Sequence, residues 1–336
     1  MTGSGLQTAN GQDQVSSNRF QVLSLDGGGI LGIFTAAVLA GLEEDLGHPV
    51  LDHFDLVVGT STGGIIAAAL GVGVTPREIV SVYVSHMGTI FPGPPRLRSV
   101  RQLVRPKYRS GGLESLLREV FGDRLLGESR VPLVIPAFDL GENSVYIFKT
   151  PHNERLKRDW KVPLWQVAMA TCAAPTFFPA YSLPDDHVRL VDGGVWANNP
   201  ATVGVAEAVS VFGQGLDAIR VLSLGTTAPS RRRKRKLDNG GFFQWLRSPN
   251  VLNVLLTGQS VGAFAAVQHL IGPTNAFRLD PQAPAGLARL DRADPSDLIA
   301  KAAFHSRVFC PTFEAVFADH ASAPYRPFHG PNSESR

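Results

Sequence analysis

Thiols are the first shortage. The 336 residues include only two cysteines, Cys172 and Cys310, far apart in the chain. That count excludes a disulfide framework, and without a C-x-x-C spacing it excludes a thiolate metal or redox motif. The nine histidines are scattered and form no H-E-x-x-H pattern, so the sequence implies no metal. Charge is also scarce. Only 18% of residues are charged against 44% hydrophobic, which excludes a disordered chain. The 34 glycines follow no triplet period, which excludes a collagen-like rod. Lys plus Arg exceeds Asp plus Glu by 32 to 29, and a formal charge of +3 is too weak to imply a nucleic-acid polymer as partner. The longest weakly charged apolar stretch is read at residues 63–74. It is glycine-interrupted and shorter than the ~20 residues of a membrane-crossing helix. Residues 1–18 are polar and lack the basic start and apolar core of a secretory signal. The expectation is a soluble, cytoplasmic protein.

What the chain does have is alternation. Residues 20–25 (FQVLSL), 54–58, 131–139, 144–149, 188–191 and 219–224 read as strands. Between them, residues 33–46, 62–70, 75–86, 113–121, 164–171 and 202–212 carry helical spacing. Thr75-Pro76-Arg77-Glu78 is a capping box with proline in the first turn. Residues 91–111, rich in Pro, Gly and Arg, read as a loop. This order predicts an α/β fold with a mostly parallel central sheet flanked by helices. Residues 1–18 are expected to be a flexible leader, 19–320 one domain with a helical part over 240–320, and 321–336 a tail.

Two glycine motifs sit where strand turns into helix. The first is Asp26-Gly27-Gly28-Gly29-Ile30-Leu31-Gly32, whose clustered N–H groups suit a phosphate or an oxyanion. It also reads as G-x-G-x-x-G, a dinucleotide fingerprint. The next strand, however, ends in Gly59-Thr60-Ser61 rather than an acidic residue, and Asp26 would repel a pyrophosphate. The second motif is Gly59-Thr60-Ser61-Thr62-Gly63, G-x-S-x-G in the strand–turn–helix context of a nucleophile elbow. A second copy, Gly258-Gln259-Ser260-Val261-Gly262, lies in a long stretch of helical spacing at 251–270 and reads as structural.

A serine needs a base. Of the downstream histidines His305 is the least implausible partner for a Ser–His–Asp triad, although none sits in a presenting glycine loop. Asp192, at the end of an apolar strand and followed by Gly193-Gly194, is the stronger candidate. A desolvated carboxylate takes a serine proton directly if the two touch.

DGGGILG at 26–32, GTSTG at 59–63 and DGG at 192–194 occur in that order, with ATCAAPTFFPAY at 170–181 and DGGVWANNP at 192–200. Together they resemble the patatin-like phospholipase family over about residues 20–225. The resemblance implies a three-layer α/β sandwich and a lipid acyl hydrolase of phospholipase A or lysophospholipase type, working through an acyl-enzyme on phospholipid at a membrane surface. It implies Ser61 as nucleophile and Asp192 as base, with no histidine, calcium or other cofactor. Gly27, Gly28 and Gly29 would form the oxyanion hole, supported by Asp26, Gly32, Gly59, Gly63, Gly193 and Gly194. Leu31 departs from the pattern, which usually has Arg or Lys there. FQVLSLDGGGI, FDLVVGTSTGGIIA and the Thr75 helix start further resemble the bacterial branch that acts in antiphage (antiviral) defence. That likeness implies a cyclic nucleotide as activator. The readings left open are a Ser–His–Asp esterase, an NAD(P)-dependent oxidoreductase and a non-catalytic lipid- or nucleotide-binding protein, and the oligomeric state is open.

Residues 231–236 read RRRKRK, followed at 242–246 by FFQWL. Without the six basic residues the balance of charges turns from positive to negative. A mobile solvated loop, an anionic membrane surface and an anionic effector are the three readings of this segment.

Overall fold

The computed structural model describes residues 19–90, 106–184, 188–229, 241, 250–283 and 293–333. The leader expected at 1–18, most of the loop expected at 91–111, and the basic and aromatic runs at 231–236 and 242–246 lie outside the described residues. Ten strands are described: β1 (Phe20–Leu25), β2 (Leu56–Gly59), β3 (Leu133–Asp139), β4 (Ser144–Lys149), β5 (Tyr181–Ser182), β6 (Arg189–Asp192), β7 (Ile219–Leu224), β8 (Ala228–Pro229), β9 (Ala276–Leu279) and β10 (Gln282–Ala283). The helices are α1 (Gly32–Leu46), α2 (Thr62–Gly71), α3 (Pro76–Ile90), α4 (Gly111–Phe121), α5 (Leu164–Thr171), α6 (Gly194–Ala197), α7 (Ala201–Ser210), α8 (Asn250–Ile271) and α9 (Pro295–Val316).

The main sheet runs β5-β6-β3-β2-β1-β7-β9, with β4 also on β3. The stretch β3-β2-β1-β7-β9 is parallel, as expected, while β4, β5 and β6 form an antiparallel edge. β1 is buried along its whole length, the signature of a strand covered on both faces. Its alternation sends Leu23 and Leu25 into the layer containing α1 and α2, and Phe20 and Val22 into the layer containing α7. The result is a three-layer α/β sandwich. Sequence signals set several boundaries. Gly47 closes α1 in the left-handed conformation at φ 77°. Glu78 accepts from Thr75 N–H at 2.8 Å and donates its own N–H to Thr75 Oγ at 3.3 Å, the capping box that opens α3.

The register brings two distant motifs level. Val58 of β2 pairs with Val134 of β3, and Asp192 of β6 pairs with Ala137. Three residues beyond the first pair lie Ser61 and Ala137, so the turn after β2 and the end of β6 meet at one height on the sheet.

Three expectations are corrected. The part expected to be helical over 240–320 is interrupted by β9 and β10, and β9 extends the main sheet beside β7. Four residues are too short for periodicity to mark a strand; pairing with Val221–Leu224 makes it one. The expected tail is anchored over its described part. Ser322 N–H donates to the Asp52 carbonyl and Phe328 N–H to the Pro151 carbonyl, both at 2.8 Å. Finally, the longest apolar stretch is not 63–74. Val254–Ile271 is a helix long and apolar enough to cross a membrane by length and composition, although glycines, Gln and His punctuate it.

Two helical glycines have opposite surroundings. A Cβ on Gly204 of α7 would stand 2.7 Å from Val22 Cγ1 in the sheet, while one on Gly258 of α8 meets nothing within 4 Å. Gly204→Ala is therefore expected to destabilise by about 1–3 kcal/mol through overpacking. Gly258→Ala should stabilise by about 0.5–1 kcal/mol through helix propensity. Denaturant midpoints moving in opposite directions check both.

Candidate active site

Ser61 occupies a strained turn between β2 and α2, with φ 54° and ψ −123°. A non-glycine residue pays for such a conformation, and it persists only where its surroundings hold it. Here the glycines on either side are steric requirements. A Cβ on Gly59 would lie 2.3 Å from the Gly63 carbonyl oxygen, and one on Gly63 would lie 2.2 Å from that of Leu25. Ser61 N–H donates to Thr171 Oγ1 at 2.9 Å, and that hydroxyl donates to the Pro136 carbonyl at 2.7 Å. Thr60 Oγ1 donates to the Ala197 carbonyl at 2.6 Å. The elbow is thus tied to β3, to α5 and to the end of α6.

Ser61 Oγ donates to Asp192 Oδ2 at 2.6 Å, and both residues are buried. Asp192 Oδ1 accepts Gly194 N–H at 2.7 Å, while Gly193 sits where a Cβ would strike the Pro136 carbonyl. Burial pushes the Asp192 carboxyl up to about 6, against the downward pull of the Ser61 hydroxyl and the Gly194 N–H. It is ionised at neutral pH yet basic enough to accept a proton. Cys172 also borders the serine, but burial and then the Asp192 charge push its thiol well up, so it stays protonated.

The glycine motif lies opposite. Gly28 and Gly29 line the cavity that holds Ser61. Gly29 needs its freedom, since it sits at φ 58° as the chain turns into α1. Gly27 differs from the expectation: its N–H donates to the Asn198 carbonyl at 2.9 Å, so it is already committed. Gly32 stands against Thr62 of α2. Asp26 is buried and faces Arg278 of β9, whose Nη2 donates to Asp26 Oδ2 at 2.7 Å and to Asp280 Oδ2 at 2.8 Å. Burial pushes Asp26 up, and the guanidinium pulls against it. Leu31, the departure from the expected motif, is buried in the apolar core. The cation beside this loop comes instead from Arg278.

Beneath Ser61 a cleft opens to solvent. Its walls are mainly apolar, from Ile65 of α2, Ile79 and Val82 of α3, Leu113 and Leu116 of α4, and Phe178. Among the described residues no histidine lines it. His305 lies on α9 with its ring against Phe34 and Phe304, away from the serine. Nor do three His, Cys, Asp or Glu side chains gather as a metal site among the described residues. Ser260 is a helix residue, as read, yet it serves the site: Asn198 Nδ2 donates to Ser260 Oγ at 2.9 Å, and Asn198 N–H donates to Gln259 Oε1 at 2.7 Å. The sequence reading missed Asn198, Thr171 and Arg278. The first two lie inside quoted motif text, and Arg278 lies far downstream.

Fold and site together define an α/β sandwich whose elbow serine contacts a single buried aspartate. Residues 23–205 match the model of the patatin-like phospholipase family, and the chain belongs to that family. It is 31% identical over 331 residues to a cGAMP-activated phospholipase of Pseudomonas aeruginosa (strain BWHPSA011 / Pa011), covering 93% of this chain and 96% of that one. A cGAMP-activated phospholipase of Escherichia coli (strain TW11681) is 36% identical over 225 residues, 63% of each chain. One of Vibrio cholerae serotype O1 (strain ATCC 39315 / El Tor Inaba N16961) is 34% identical over 229 residues, 62% of this chain and 64% of that one. The chain thus spans nearly all of the first relative and just under two thirds of the other two.

A carboxyl raised by burial makes the fold less stable once it ionises. Its contribution is fully present below the ordinary carboxylate value and is lost as pH rises through about 6. An amide at this position still accepts from Gly194 and meets the serine hydroxyl. Asp192→Asn is therefore expected to be more stable than the parent by about 1–3 kcal/mol at pH 8, with the gap closing below about pH 4. Denaturant unfolding at both pH values checks this.

Proposed function

We propose that this chain is a lipid acyl hydrolase that cleaves fatty-acyl esters of phospholipids through Ser61 and Asp192. The observation that carries the reading is the 2.6 Å contact between Ser61 Oγ and Asp192 Oδ2 at the head of an apolar cleft. The acyl chain lies in the cleft with its ester carbonyl at Ser61. Asp192 accepts the hydroxyl proton as Ser61 Oγ attacks the carbonyl carbon. The N–H groups of Gly28 and Gly29, with the start of α2, stabilise the tetrahedral oxyanion. Collapse breaks the ester bond, and the leaving lysophospholipid oxygen takes the proton from Asp192. Water then loses a proton to Asp192 and attacks the acyl-enzyme. The fatty acid departs as the proton returns to Ser61. Asp26, Gly32, Gly59, Gly63, Gly193 and Gly194 hold the two loops at this spacing.

The names of the three bacterial relatives support a regulatory reading: a cyclic dinucleotide activates this chain, which then acts from the cytoplasm on phospholipid at the membrane in antiviral defence. Incubation with mixed phospholipids, with and without cyclic dinucleotides, followed by lipid mass spectrometry, tests both parts. Free fatty acid and lysophospholipid are expected from the parent, rising with the activator, and background levels from Ser61→Ala. Equal product from Ser61→Ala would sink the assignment.

The base also sets a pH profile. Hydrolysis of a soluble short-chain ester should show kcat/KM rising with pH on a single acidic limb whose midpoint is about 6, where Asp192 ionises. A midpoint at the ordinary carboxylate value would separate the limb from Asp192.

A further inference from the structure

Helix α8 has an outward face that water does not explain. Asn250–Ile271 contains no Asp, Glu, Lys or Arg. Within its apolar stretch, Val254–Ile271, the buried residues are Ser260, Val267 and Ile271, all on one side. On the opposite side Leu255 is 63% exposed, Val261 60% and Leu270 50%, with Gly258, Gly262, Ala266 and a single polar side chain, His269, between them. A surface helix ordinarily carries charge on its solvent side. The other long helix does so: α9 exposes Phe304 and Val308 beside Lys301 and Arg307.

The position of this face identifies what it meets. Leu256, one residue from Leu255, lines the cleft that holds Ser61, as does Val195, itself 43% exposed. Leu256 stands one turn before Ser260 on the inner side of the helix, so the cleft opens against α8, whose other side carries the exposed apolar residues, with exposed Val195 in its lining. The inner side of the helix is fixed to the domain. It packs on α6, α7 and β9, and Gln259 and Ser260 bond to the loop that follows Asp192. Such a helix lies on a bilayer rather than leaving the domain to cross it. The sequence that leads into it, RRRKRK and then FFQWL, has the cationic and aromatic chemistry that suits anionic headgroups.

The geometry points to the Leu255–Val261–Leu270 face of α8 as the surface on which the protein sits on a phospholipid bilayer, with the mouth of the cleft against the lipid. This deepens the hydrolase reading and rests on it. Phospholipid leaves the bilayer along an apolar path beside Leu256 without its acyl chain crossing water.

Binding is measured on the Ser61→Ala protein by co-sedimentation with vesicles of phosphatidylcholine and phosphatidylglycerol, so that turnover plays no part. Adding Leu255→Asp, Val261→Asp and Leu270→Asp together is expected to weaken binding by about tenfold or more, because the apolar contact is lost. With Ser61 present, the same three changes should lower hydrolysis of vesicle lipid in parallel and leave a soluble short-chain ester within about twofold of the parent. Leu255→Trp provides a readout that needs no loss of function. Its emission should move to shorter wavelength when vesicles are added, beyond any change in the parent protein. Unchanged vesicle binding by the triple variant, or no emission shift, overturns the proposal. So does a triple variant that only changes oligomeric state by light scattering, since the face would then join copies of this chain. Failure of the parent to hydrolyse any ester, with vesicle binding still lost in the triple variant, would sink the hydrolase reading and leave the surface standing.

Discussion

A buried carboxyl in contact with a serine hydroxyl is the interaction around which the rest of this structure is arranged. Asp192 keeps two hydrogen bonds, from Ser61 and from Gly194, and burial works against both. Burial outweighs these two donors, and that is what makes the group basic. A better-solvated aspartate would be more stable and a poorer proton acceptor. The antiparallel pairing of β6 with β3 makes the contact possible, because it delivers Asp192 beside Ala137, level with the turn after β2.

The same economy explains the glycines. At Gly59 and Gly63 the obstacle is backbone carbonyl, which no rotamer change can move, so these positions are fixed by the tightness of the elbow. This is why G-x-S-x-G was legible in the sequence once its strand and helix were recognised, and why the same letters at Gly258–Gly262 meant something else. There the backbone is a helix interior, a Cβ on either glycine meets nothing within 4 Å, and the serine faces inward to hold Asn198.

What sequence reasoning did not reach shares one property: the contacts join positions far apart in the chain. Arg278 bonds to Asp26 across 252 residues, from a strand too short to announce itself. The family resemblance implies three N–H groups, those of Gly27, Gly28 and Gly29, at the oxyanion hole. One of them is taken by a carbonyl that only the fold brings near. Asn198 and Thr171 sat in quoted motif text, but nothing local indicated that one binds α8 and the other the elbow. Motifs record local backbone demands well. They record cross-chain hydrogen bonds only when the partner also falls within a motif.

The proposed dyad, which has no histidine, changes how tightly the scaffold must be held. An imidazole between serine and carboxylate would add a side chain whose rotation absorbs small errors in spacing. Under the proposed mechanism the proton passes between two short side chains already in contact, so any drift of β2 against β6 acts directly on those atoms. The hydrogen bonds from Thr171 to Pro136, Thr60 to Ala197, and Asn198 to Gln259 and Ser260 fasten the two motif loops to β3, to each other and to α8. The last of these runs from the outward-facing helix to the loop next to the base. The inner side of α8 is therefore part of the scaffold that holds Asn198 next to the Ser61–Asp192 contact.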